Sequence, residues 1–104
     1  MTAPTQTNVA PAATSATRLL RVHGRVQRVG YRHAFAQEAA RLGLRGWVRN
    51  RRDGTVEALV HGDPDDVVRM IHWAGLGPPA AQVDRVEVEE ADDRPNGFAI
   101  APTA

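Results

Sequence analysis

Residues 24 to 33, GRVQRVGYRH, carry three arginines, Arg25, Arg28 and Arg32, around two glycines, Gly24 and Gly30. A guanidinium donates in a planar fork that matches the oxygens of carboxylate and phosphate. Glycine lets the backbone turn sharply and approach a ligand closely. If a strand ends here and a helix begins, the turn amides and the free N–H groups of the first helical turn form a concave donor surface. The helix dipole adds roughly half a positive charge at that point. Such a segment can hold an anion, with Arg32 at the helix start clamping two of its oxygens. A basic, solvated surface loop is the competing reading, and these residue types alone leave both open.

Other chemistries fit less well. A Walker A loop needs G-x-x-x-x-G-K-[ST], but Gly24 and Gly30 are followed by Tyr31-Arg32 and the chain contains no lysine. The dinucleotide fingerprint G-x-G-x-x-G is absent as well. His23, His33, His61 and His72 lack metal-ligand spacing and have no cysteine or clustered carboxylate beside them. No metal or cofactor is therefore expected. Ser15 is the only serine and stands outside the patterned part of the chain, which argues against serine catalysis. Trp47 and Trp73 read as packing or flanking residues, and the acidic run EVEEADD as a solvated strand end.

The charge is unevenly spread. Arg18 to Arg52 holds ten arginines and one acid, Glu38, whereas Asp53 to Ala104 holds eleven acids and three arginines. That asymmetry suggests an anionic partner for the first half, with nucleic acid as one possibility. No run reaches the ~18 apolar residues of a membrane span. The start, MTAPTQTNVAPAATSAT, has neither a basic leader nor a continuous apolar stretch, so residues 1–17 read as a disordered tail rather than a secretory signal. Zero cysteines exclude thiol chemistry and fit a reducing cytoplasm.

The elements that must position the arginines follow from periodicity. TRLLRVHGRV alternates with period two, as a half-buried strand does. YRHAFAQEAARLG places Phe35, Ala39 and Leu42 on one helical face and stops at Gly43. RGWVRN is a second strand, RRDG a hairpin turn and TVEALVHG a third strand. Asp63 before Pro64 caps a second helix with Val67, Ile71 and Ala74 on its apolar face. AQVDRVEVEE reads as a fourth strand and GFAI as a short closing one. The order β-α-β-β-α-β predicts an α+β, ferredoxin-like sandwich: an antiparallel four-stranded sheet, plus the closing strand, with two helices on one face. The domain is expected over residues 18–101, with 102–104 as a C-terminal end. This fold by itself names no function.

The segment GRVQRVGYR, followed at helical distance by LGLRGWVRNRRDGTVE, resembles the acylphosphatase family. Its usual patterns are G-x-V-Q-G-V, a small residue, [FY]-R, and G-[FWY]-[VA]-x-N-x-x-[DN]-G-x-V. GPPAAQV and GFAI also stand where that family has matching segments. The resemblance implies metal-independent hydrolysis of acyl phosphates to a carboxylate and inorganic phosphate. It implies that Arg32 binds the phosphoryl group and that Asn50 positions the attacking water. Arg25, Val26, Gln27, Arg28, Val29, Gly30 and Tyr31 then form the phosphate-cradling loop. Inorganic phosphate is expected as product and inhibitor, and the protein as a monomer.

Arg28 departs from the pattern, because it stands where the family usually has glycine. If that position needs a positive φ, a side chain there costs roughly 1–2 kcal/mol. Asn50 alone could equally be a turn residue opening NRRDG, although Gly46, Val48 and Asn50 share one strand face. Two rival functions stay open. A nucleic-acid binder would have the charge, but the chain has five aromatics and none on the first strand. A non-catalytic acylphosphatase-like regulatory module is the other.

Overall fold

A computed structural model describes residues 14–104. The chain runs β1 (Ala16–Arg25), α1 (Tyr31–Arg41), β2 (Arg45–Asn50), β3 (Val56–Gly62), α2 (Pro64–Leu76), β4 (Gln82–Glu90) and β5 (Phe98–Ile100). The strands form one sheet in the order β4-β1-β3-β2-β5. Every pairing among β1 to β4 is antiparallel. The closing strand β5 instead lies parallel to β2, from Gly46↔Phe98 to Val48↔Ile100, so the five-stranded sheet is mixed. Of the segment read as a tail, residues 1–13 lie outside the described residues. Ala16 and Thr17 at its end already pair with Gly62 and His61.

One core joins the layers. Leu20 and Val22 of β1, Val48 of β2 and Val56, Ala58 and Val60 of β3 point to the side where Phe35, Ala39, Val67, Met70 and Ala74 meet them. Period-two alternation thus puts one face of the sheet under both helices; the other carries no helix, although Glu57, Leu59 and His61 of the central β3 are buried on it. On α2 the core face is buried at Val67, Met70 and Ala74, with Ile71 only half-buried. Tyr31, Phe35 and Trp73 pack ring to ring, Phe35 meeting Trp73 edge-on at 5.8 Å between centroids. The start of α2 is capped as its sequence predicts: Asp63 Oδ1 accepts from the amide of Asp65 at 2.9 Å, with Pro64 following.

Candidate active site

The arginine-rich loop begins where β1 leaves the sheet. Its register against β4 slips between His23 and Gly24. Gly24 has φ 128, and a Cβ there would lie 2.2 Å from the Gln82 carbonyl oxygen, so only glycine allows this exit. Beyond Arg25 the chain makes no regular turn until Gly30, the N-cap of α1, whose φ of 78 aims it into the helix. Val26 and Tyr31 anchor the loop in the core, each 1% exposed. The Tyr31 hydroxyl donates to the Ala74 carbonyl at 2.7 Å, and burial pushes its pKa well above the ordinary phenolic range. Only the backbones of Val26 and Tyr31 can therefore face a ligand.

The amides of this stretch are unspent. No acceptor among the described residues pairs with the backbone N–H groups of residues 27–33, and the first helical bond is Ala34 N–H to the Gly30 carbonyl, 3.0 Å. Such amides are free to donate to solvent or to a bound ligand. They border a pocket of about 240 Å³ whose wall includes Arg28, Gly30, Arg32, His33 and Ile100, and no carboxylate lines it. Arg25, Arg28 and Arg32 have no ion-pair partner among the described residues, although Arg21, Arg49 and Arg51 all gather on Glu57. Among the described residues, Arg21, Arg49 and Arg51 are thus neutralised at Glu57 on the open sheet face, whereas the loop arginines are left uncompensated.

Arg28 answers the question raised by its missing glycine. Its φ is 64, the single positive-φ residue other than glycine among the described residues. The position does demand the left-handed region, and the side chain bears the cost. Arg28→Gly is expected to raise the free energy of unfolding by about 1 kcal/mol, read from urea midpoints. A lower midpoint would show that the arginine makes a stabilising contact that outweighs the backbone cost.

Asn50 ends β2 opposite Val56, which pairs in turn with Val22 of β1. The following turn closes through Arg51 N–H to the Thr55 carbonyl, 2.8 Å, and through the amide and hydroxyl of Thr55 on Asp53 Oδ1. Those Thr55 bonds, the hydroxyl's first, hold the Asp53 carboxyl below its ordinary range. The loop and this turn are tied together by one side chain. Gln27 Nε2 donates to the carbonyls of Arg51 at 2.7 Å and Thr55 at 2.9 Å. It thereby clamps the arginine loop to the residue next to Asn50. Asn50 Oδ1 is buried and has no hydrogen-bond partner among the described residues. Arg21 Nε shares that condition, but within the Glu57 cluster.

Sequence reasoning treated Gln27 only as part of the loop backbone and missed its side-chain brace. It also passed over Glu57, a buried acid between apolar residues in TVEALV, whose isolation there was the available signal. Ile100, 45% exposed and on the pocket wall, was read simply as strand.

The family profile described as Acylphosphatase matches residues 19–100. An acylphosphatase of Azoarcus sp. (strain BH72) is 56% identical over 94 residues, covering 89% of this chain and 96% of its own. One from Acidovorax sp. (strain JS42) is 58% identical over 83 residues, with coverage of 80% and 86%. The solved structure of an acylphosphatase from Coxiella burnetii superposes with a TM-score of 0.81 at 31% identity, covering 85% of this chain and 94% of that one.

Proposed function

Because the chain belongs to the acylphosphatase family, and so to the hydrolases of acid anhydrides, we propose that its loop and Asn50 divide the work of moving a phosphoryl group from a carboxylate to water. The observation that carries this reading is a match of unspent groups. A run of free amides and unpaired guanidinium groups borders the pocket, and a buried, unpartnered acceptor, Asn50 Oδ1, stands beside the turn clamped to that loop. The first set suits the oxygens of a phosphoryl group; the second suits a water O–H.

In this mechanism Arg32 and the amides of residues 27–33 hold the phosphoryl oxygens and neutralise the charge that builds on them. Asn50 Oδ1 accepts from a water and keeps its lone pair toward phosphorus. The bond from phosphorus to the acyl oxygen breaks as the new P–O bond forms, and the carboxylate leaves. Its conjugate acid has a pKa near that of Glu, about 4.3, so no general acid is needed. No carboxylate lines the pocket, and the water's proton passes to a phosphoryl oxygen. Guanidinium and amide donors supply the charge stabilisation, so the reaction is metal-independent.

Benzoyl phosphate hydrolysis is expected to proceed unchanged in EDTA, with inorganic phosphate as a competitive inhibitor. Loss of activity in EDTA, or phosphate acting on kcat alone, would contradict the reading. No helix among the described residues is long and apolar enough to cross a membrane. We further assign the protein as a cytoplasmic monomer, which cell fractionation and sedimentation equilibrium would check; its lack of cysteine fits that compartment.

A further inference from the structure

We propose that the pocket prefers acyl phosphates whose acyl part carries a second negative charge, and that Arg28 is the residue that reads it. The inference rests on the acylphosphatase reading of the site and extends it to substrate choice. Arg28 occupies a backbone conformation that favours glycine, φ 64, yet its side chain is exposed. Among the described residues it has neither an ion-pair nor a hydrogen-bond partner, so no contact within the fold accounts for an arginine there. It does line the pocket, in company with Arg32, His33 and Ile100.

These residues suggest three tasks within one cavity. Arg32 and the unspent amides take the phosphoryl group. Ile100, an apolar side chain left 45% exposed, offers a wall for the carbon part of the acyl group. Phosphate alone would need no such wall. Arg28 is then a second cation with nothing to neutralise it unless the substrate brings an anion. Since no carboxylate lines the cavity, a carboxylate or phosphate on the acyl group meets attraction only.

The test uses probes on one rigid benzoyl scaffold: 4-methylbenzoyl phosphate, 4-carboxybenzoyl phosphate and 4-phosphonobenzoyl phosphate. For the wild type, kcat/KM is expected to favour at least one charged probe over the methyl probe by about fivefold at low salt, the upper end for an exposed ion pair. The preference should fall toward unity at high ionic strength. It should vanish in both Arg28→Gly and Arg28→Gln, the latter keeping a long side chain on the same backbone and so separating charge from shape. A stronger preference for the phosphono probe identifies phosphorylated acyl groups as the class, and one for the carboxy probe identifies dicarboxylic acids. Equal hydrolysis of all three probes, or a preference that survives in Arg28→Gln, would overturn this inference alone. Failure to hydrolyse any of them would overturn the acylphosphatase reading with it.

Discussion

Arg32→Ala is expected to lower kcat/KM for benzoyl phosphate by about a thousandfold, the scale on which a transition-state guanidinium contributes to phosphoryl transfer. The helix start gives Arg32 its value. It follows directly on two loop positions with left-handed or strained backbone, Arg28 and Gly30, and lies within the run of unpaired amides. Its side chain is half-exposed and has no carboxylate partner among the described residues, so its loss removes little from the fold. The free energy of unfolding should therefore change little, as for most surface substitutions, by about 0.5 kcal/mol or less in a urea titration. Arg32→Lys should recover only part of the rate, because an ammonium is a point charge and cannot bind two oxygens as a planar fork. Inhibition by inorganic phosphate should weaken in parallel. An Arg32→Ala enzyme within tenfold of wild type would remove the role assigned to this residue.

Asn50→Ala should lower kcat by about a hundredfold or more while KM changes little. The asymmetry follows from what the side chain touches. In the proposed mechanism its oxygen accepts from the attacking water, which matters to the chemical step, whereas phosphoryl binding is assigned to the loop. Removing a buried acceptor that has no partner among the described residues costs no hydrogen bond there, so stability should hold or rise slightly. Steady-state kinetics and a urea titration on the same preparation separate the two effects. A large rise in KM with kcat unchanged would place Asn50 in substrate binding instead.

Local signals made most of the fold legible. The strand RGWVRN coincides with β2 residue for residue, and Asp63-Pro64 opens α2 with the cap its chemistry predicts. Hydrophobic alternation located β1 and β2, whereas the central β3 is buried on both faces, with Glu57, Leu59 and His61 closed in as well as Val56, Ala58 and Val60. The parallel pairing of β5 was not legible, since three residues carry no directional signal and β2 supplies the partner only after folding. Met70 rather than Ile71 filling the core shows how adjacent apolar residues on a helix are decided by packing.

The site was legible in a different way. The arginine-rich turn pointed to an anion from residue types alone, but Asn50 came only from the family's spacing. The positive φ of Arg28 could be posed as a condition and not resolved, because side chain and backbone demand conflict there. The Gln27 clamp spans 24 and 28 residues in sequence, beyond the reach of any periodic pattern.

In the proposed mechanism, water positioned by Asn50 attacks phosphorus rather than the acyl carbon. The direct measurement is hydrolysis of benzoyl phosphate in ¹⁸O-labelled water with EDTA present, followed by mass spectrometry of both products. The mechanism predicts the label in inorganic phosphate and unlabelled benzoate. Label in benzoate would show attack at the acyl carbon and contradict it.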